Sequence, residues 1–314
     1  MEKYGLIGHP IADSQSPKLF AAAYGGALLY DLIQGADFEK SYGTFLSEYK
    51  AVNVTAPFKE LAFAQAVALA KDGRGSISGP CLKTGATNLM VKTPEGMMAY
   101  NTDFTGIILS VADALFPGVV RECYRQFGER GHIKVHQFVR ENLQEIYHLK
   151  PQALIVGCGG AGKAAAVAAA EMGFSVVLMN RTEQRAREIA AALPEYQFIV
   201  DPITDFREAF RECDLVIYTL PVALPEVADL QPSTTLSSGP KLILEANYKT
   251  PCLDGLLPGV APGTLAPSAA TVASDPMRYI PGINWLLYQA LTGYGLMTGR
   301  TPDFAAMQES ITAR

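Results

Sequence analysis

The chain is poor in cysteine, and its five cysteines (Cys81, Cys123, Cys158, Cys213, Cys252) are odd in number, scattered and without a C-x-x-C pair. That pattern excludes a disulfide framework and a zinc knuckle, and it points to a reducing compartment, the cytoplasm. His132 and His136 alone have a spacing that one helix turn would bring together. No third ligand stands nearby, so no metal is expected. Basic runs are missing and the net charge is −5, so the electrostatic footprint of a nucleic-acid binder is absent. The opening MEKYGLIGHP lacks the apolar core of a signal peptide. The alanine-rich stretches are broken by Gly, Pro or charge well short of the ~20 residues that span a bilayer, so no membrane partner is expected.

What remains is a globular composition. The 314 residues, 49% hydrophobic and 18% charged, suffice for two domains with real cores. In the first hundred residues, YGLIG at 4–8, KAVNVTA at 50–56, TGATNLMVK at 84–92 and MMAYN ending at 101 read as strands, with T-P-E-G between the last two as a turn. A helix near 17–25 follows Ser16, an N-cap candidate before Pro17. A second helix is expected to start at Pro57 and continue FKELAFAQAVALA. This puts Lys59 in its first turn, where the positive end of the macrodipole disfavours a cation.

Residues 104–116 read as a helix, and 118–150 as a polar, irregular stretch that becomes helical. There Val135, Phe138, Val139, Leu143, Ile146 and Leu149 recur at three- and four-residue spacing on one face. This is either an inserted helix or part of an oligomer contact; the chain is expected to be a monomer or homodimer. From 152 strands and helices alternate: QALIVG, GKAAAVAAAEMG, FSVVLMN, EQRAREIAAAL, then the later strands DLVIYTLP and KLILEAN. After about 282 the chain is helical again, with a stop at Gly299.

Gly157-Cys-Gly159-Gly160-Ala161-Gly162 fits G-x-G-x-x-G directly after a strand and opening a helix. The first glycine suits a tight turn, the second the approach of a pyrophosphate, and the third close helix–strand packing. The next strand ends in Asn180-Arg181-Thr182, where NAD sites carry an acidic residue. A carboxylate would repel a 2′-phosphate and a guanidinium would hold it, so the expected cofactor is NADP(H). Thr182 adds a hydroxyl, and Arg185 is either a further contact or a solvated helix position.

Four further segments carry polar residues at turns or helix starts: Ser14-Gln15-Ser16-Pro17, Asn53-Val-Thr55-Ala-Pro57-Phe-Lys59, Gly85-Ala-Thr-Asn88, and Asn101-Thr102-Asp103-Phe-Thr-Gly106. Together, in this order and followed by the glycine fingerprint, N-R-T, Tyr248 and Gln289, they resemble the shikimate dehydrogenase family over nearly the whole chain. The resemblance implies an α/β fold of two domains with a cleft between them. An N-terminal α/β substrate domain (1–103 plus about 282–314) would accompany a Rossmann-type NADP-binding domain (104–281, with the helical insertion near 118–150). It implies reduction of 3-dehydroshikimate to shikimate with NADPH on the route to chorismate and the aromatic amino acids. It makes Lys59 and Asp103 the catalytic pair. Ser14 and Ser16 would hold the substrate carboxylate, while Thr55, Asn88, Tyr248 and Gln289 would contact its hydroxyls or carboxylate. Gly157, Gly159, Gly160, Ala161, Gly162, Asn180, Arg181, Thr182 and Arg185 would form the cofactor site.

The chain departs from the family pattern in three places. The loop usually reading N-A-T-S-x-G-M is Tyr218-Thr219-Leu220-Pro221-Val222-Ala223-Leu224; Trp285 replaces a methionine; and 118–150 is longer than usual. Trp285 either repacks the wall beside the nicotinamide or fills core. The competing functions are a quinate/shikimate dehydrogenase of relaxed substrate or cofactor choice and a non-catalytic NADP- or metabolite-binding regulator. Retention of both Lys59 and Asp103 argues against the regulator. A tetrahydrofolate-linked dehydrogenase would not be expected to carry S-x-S-P and N-T-D together.

Overall fold

The computed structural model describes residues 2–230, 239–253, 257 and 277–312. The chain divides into two compact units, Met1–Asp103 with Gln289–Arg314, and Phe104–Tyr288. The first opens with β1 (Lys3–Gly8), α1 (Ser16–Ala23), β2 (Leu29–Gln34), α2 (Phe38–Glu48), β3 (Ala51–Val54) and α3 (Lys59–Lys71). It continues with β4 (Gly75–Ile77), α4 (Gly79–Thr84), β5 (Leu89–Thr93) and β6 (Gly96–Tyr100). Its sheet has the order β2-β1-β3-β5-β6-β4. β1 runs parallel to β2 and β3, while β5 runs against both β3 and β6. Ile7, Phe45, Val52, Val54, Phe58 and Met90 form the core on one side.

The unit division falls inside α5 (Thr102–Leu115). Then come α6 (Val119–Phe127), α7 (Gly131–Ile146), β7 (Gln152–Val156), α8 (Gly160–Met172), β8 (Ser175–Met179) and α9 (Glu183–Ala192). β9 (Ile199–Val200), α10 (Phe206–Glu212), β10 (Leu215–Tyr218), β11 (Lys241–Glu245) and β12 (Met277–Ile280) follow. The second sheet has the order β12-β11-β10-β7-β8-β9, parallel throughout. This is the doubly wound Rossmann order, which reverses between β7 and β10 and opens a ligand crevice at the carboxyl ends of those strands. Ala164 to Ala169 are buried along α8, where small side chains let the helix lie close on the sheet. α11 (Gly282–Thr298) begins in this unit and ends in the first, followed by α12 (Phe304–Thr312). Within the first unit, Phe20 packs against Tyr4, Tyr24, Tyr30 and Tyr294 at ring-centroid distances of 5.3, 5.0, 4.7 and 4.9 Å, which docks the end of α11 on α1. No helix among the described residues is long and apolar enough to cross a membrane.

Three expectations need correction. α3 starts at Lys59 rather than Pro57: the Phe58 N–H donates to Thr55 C=O (3.0 Å), so residues 55–58 form a turn before the helix. Lys59 is still in the first turn. α1 starts at Ser16, with Gln15 as its cap residue and no side-chain cap. The Ser16 N–H instead donates to Ser14 Oγ at 3.3 Å. The segment after 118 is not irregular but forms α6, whose pairing with α7 the polar sequence concealed. Val135, Val139 and Leu143 are buried on α7, whereas Leu149 lies past its end and is exposed.

Lys241 opens β11 fully buried and donates to the C=O groups of Phe210 (2.6 Å) and Cys213, closing the C-terminal end of α10. Burial pushes its ammonium down to about 8, against the opposing pull of Cys213 and Asp214. Between pH 8 and the ordinary value of 10.5 the unfolded chain therefore binds more protons than the folded one. The lysine's contribution to stability rises with pH across that window and is least favourable below it. In urea titrations the stability of the native chain relative to Lys241→Met should rise from pH 8 to pH 10.5; a constant difference would contradict the assignment.

Candidate active site

Lys59 and Asp103 meet at the first turns of α3 and α5, Nζ to Oδ2 at 2.6 Å, with side-chain exposures of 28% and 11%. The ammonium is thus reachable while its carboxylate partner is nearly buried. The surrounding hydrogen bonds fix both helix starts. Thr87 N–H donates to Lys59 C=O (3.0 Å), and Asn101 Nδ2 donates to Thr84 Oγ1 (2.9 Å) and Ala86 C=O (3.2 Å). Gly85, at φ +63°, ends α4 in the left-handed conformation that turns the chain into Ala86-Thr87-Asn88.

Asn88 is only 4% exposed and its side chain is engaged at both ends. Its Nδ2 donates to Thr102 Oγ1 (3.1 Å) and Gln289 Oε1 (3.3 Å), while its Oδ1 accepts from Thr102 N–H (2.7 Å). The geometry gives it the task of aligning Thr102 beside Asp103 and presenting Gln289, whose amide NH₂ is left for other contacts. Asn53, in the NVT segment, donates to Asn88 C=O (3.4 Å) and accepts from Tyr30 OH (2.8 Å). Burial drives the Tyr30 phenol well above its ordinary range, so it stays a neutral donor; Ser16 lies beside it. Ser14 and Ser16 bring their hydroxyls to 3.2 Å, and Tyr294 OH donates to Ser16 C=O at 2.9 Å. Thr55 follows β3 half-buried. Asn53, Thr102 and Tyr30 are among the members of this network that motif reading left without a role. Asn53 and Thr102 lay inside the motifs, but Tyr30 had no local signal. One predicted contact, Tyr248, lies in the other unit, after β11, a half-buried phenol raised by burial.

In the second unit, Gly157 has φ +101°, and a Cβ there would lie 2.4 Å from Thr219 Oγ1. A Cβ on Gly162 would lie 1.9 Å from Gly157 C=O. Gly159 and Gly160 have no heavy atom within 4 Å of that position, which leaves open space before the α8 N-terminus, where unpaired N–H groups suit a pyrophosphate. Ala161, between them and Gly162, is exposed. Asn180 is buried, accepting from Cys158 N–H (2.9 Å) and donating to Thr182 C=O (2.8 Å). It ties the glycine loop to the loop after β8 rather than reaching outward. Arg181, Thr182 and Arg185 are exposed. Among the described residues neither arginine makes an ion pair, so both guanidiniums are available to an anion.

The atypical 218–224 loop is organised by Tyr218, which is buried at the end of β10. Its hydroxyl donates to Val222 C=O (2.9 Å) and accepts from Leu224 N–H (2.8 Å). Thr219 Oγ1 donates to Val156 C=O (3.0 Å) and Gly157 C=O (3.1 Å), joining this loop to the glycine turn. Fully buried Glu245 accepts from Cys252 N–H (2.5 Å), Leu253 N–H (3.1 Å) and Tyr279 OH (2.5 Å), closing the loop that carries Tyr248. Trp285 is 5% exposed, a core position. His132 and His136 bond to separate carbonyls, of Glu129 (2.8 Å) and Glu171 (3.0 Å).

Residues 139–227 match the family model described as shikimate / quinate 5-dehydrogenase. The sequence is 28% identical to a shikimate dehydrogenase (NADP(+)) of Halobacterium salinarum over 100% of both chains. It is 25% identical to that of Archaeoglobus fulgidus, covering 98% of this chain and 96% of the relative. Among solved structures, Mycobacterium tuberculosis shikimate dehydrogenase matches with a TM-score of 0.66 at 24% identity over 100% of both chains. The Thermus thermophilus shikimate 5-dehydrogenase complex with NADP(H) and shikimate matches with a TM-score of 0.63 at 23% identity, covering 99% of each. Both likenesses establish the fold.

The contrast between the glycines is testable. Gly162→Ala should cost ~2 kcal/mol or more of stability through backbone overlap. Gly159→Ala should leave the melting temperature nearly unchanged yet weaken dinucleotide binding about tenfold by filling the approach to the helix N-terminus. Equal melting temperatures for the two variants would contradict this reading.

Proposed function

We propose that this chain, which belongs to the shikimate dehydrogenase family, reduces 3-dehydroshikimate to shikimate, with NADPH and a proton consumed and NADP⁺ released. The single observation that carries this reading is the 2.6 Å contact between Lys59 and Asp103. When bound, NADPH supplies a hydride to the carbonyl carbon. The residues suited to hold it are Gly157, Gly159, Gly160, Ala161 and Gly162 at the pyrophosphate, with Arg181, Thr182 and Arg185 at the adenosine phosphate; Asn180 positions both loops.

Carbonyl reduction builds negative charge on oxygen, so the chain must supply charge stabilisation and a proton. Lys59 has three N–H donors and spends one on Asp103. The others serve the substrate oxygen, first as hydrogen bonds and then by passing a proton, and Asp103 keeps the lysine in place. Partial exposure of Lys59 lets solvent restore that proton after each turnover. Ser14 and Ser16 hold the substrate carboxylate with adjacent hydroxyls. Thr55, Gln289 and Tyr248 contact the substrate's hydroxyls or carboxylate, and Asn88 acts by orienting Gln289 and Thr102.

Oxidation of NADPH and NADH followed with 3-dehydroshikimate and with 3-dehydroquinate tests the assignment. Turnover should be fastest with NADPH and 3-dehydroshikimate. Faster turnover of 3-dehydroquinate would move the chain to quinate chemistry, and no turnover with any pair would overturn the enzymatic reading. Arg181→Asp should weaken NADPH about tenfold or more while leaving NADH within about threefold, because only NADPH carries the 2′-phosphate. Equal losses would remove Arg181 from that role.

A further inference from the structure

A cavity of about 780 Å³ opens between the C-terminal end of α5 and the α6–α7 pair. None of the residues lining it belongs to the glycine fingerprint or to the Lys59 network. Its volume falls within the roughly 300–1,000 Å³ of small-molecule sites. Phe116 and Phe138 line it edge to face, centroids 5.1 Å apart at 90°. Phe127 stands at its rim with 41% of its surface exposed, an aromatic face that a ligand ring would cover. The Lys134 ammonium sits 5.5 Å from the centre of the Phe127 ring. Its one hydrogen bond among the described residues is donated to a neutral acceptor, Gln137 Oε1, at 3.3 Å.

Of the two acidic groups at the same cavity, Glu122 is neutralised by an arginine, while Glu141 is held by a neutral amide. Glu122 is paired with Arg125 at 2.5 Å, and Glu141 accepts from Gln137 Nε2 at 2.9 Å. Lys134 and Glu141 lie two helical turns apart, ~10.5 Å along α7, too far for the adjacent charges of an α-amino acid to reach both. The lining therefore offers an aromatic cage with one cation, Lys134, against the Phe127 ring, and one carboxylate, Glu141, two helical turns away from it.

We propose that this cavity binds a small aromatic carboxylate, its ring among Phe116, Phe127 and Phe138 and its carboxylate on Lys134. The site is independent of the dehydrogenase reading. The full chain would be titrated by saturation-transfer NMR with 3-phenylpropanoate, 3-phenyl-1-propanol and 2-phenylethylamine. The carboxylate should bind about three- to fivefold more tightly than the alcohol or amine, the scale of a partly screened ion pair. Lys134→Gln should erase that preference and leave the alcohol's affinity within about twofold. Cys123, which lines the cavity, should be alkylated more slowly by iodoacetamide when 3-phenylpropanoate is bound, whereas Cys252 should not. Circular dichroism would establish that the variant is folded. No saturable binding below about 10 mM, tighter binding of the amine, or unprotected Cys123 would each overturn the proposal. So would a dimer in sedimentation that Phe127→Glu dissolves, since the face would then be covered by a second copy.

Discussion

The ion pair between Lys59 and Asp103 is the contact around which the first unit is arranged. The N-terminus of α3 disfavours a cation, while the N-terminus of α5 favours a carboxylate. Bringing the Lys59 ammonium within 2.6 Å of the Asp103 carboxylate lets Asp103 offset what α3 imposes on Lys59. A partly buried pair of this kind holds only if its helix starts are fixed, because a lone buried charge is costly. Asn101, Thr87 and Asn88 supply that fixation, and their hydrogen bonds run on through Asn53 and Tyr30 towards the serine turn. The serine turn and the Lys59–Asp103 pair thus share one polar network set in an apolar, aromatic unit.

The second unit solves a different problem by similar means. Its parallel sheet brings the glycine turn, the 218–224 loop and the arginine loop to one edge, and buried polar side chains lock them there. Asn180 links the glycine turn to the loop holding Arg181, while Thr219 links it to the end of β10. Tyr218 carries the atypical loop: where the family pattern has small polar residues, a buried phenol hydrogen-bonds the backbone at two points. Glu245 does the same for the segment after β11. These contacts leave Arg181, Arg185 and the α8 N-terminus free to meet an anion.

The parallel half was the more legible in the sequence. Apolar runs such as LIV and VVLM, ended by glycine or N-R-T, leave few alternatives to a strand–turn–helix unit, and α8, β8 and α9 begin and end within a residue or two of where the pattern puts them. Short elements with mixed burial were harder: β2, with one buried residue, and the three-residue β4 have no clear period, so they are visible only through their neighbours. The onset of α3 was misplaced because proline suits the first helical position, whereas here residues 55–58 close a turn first. In the site, motif order pointed to the charged pair. Sequence shows that Asn88 and Asn180 carry an amide but not the hydrogen bonds that each makes within the protein. Tyr30, Tyr218 and Glu245 act through contacts distant in sequence, so nothing local marked them.

The proposed reduction requires Lys59 to take part in the chemical step and not merely in binding. The direct test is steady-state kinetics of Lys59→Ala with 3-dehydroshikimate and NADPH, alongside the native chain. Loss of a positioned proton donor predicts a kcat lower by about 10²- to 10⁴-fold with KM changed only a few-fold. A kcat close to that of the native chain would contradict the account.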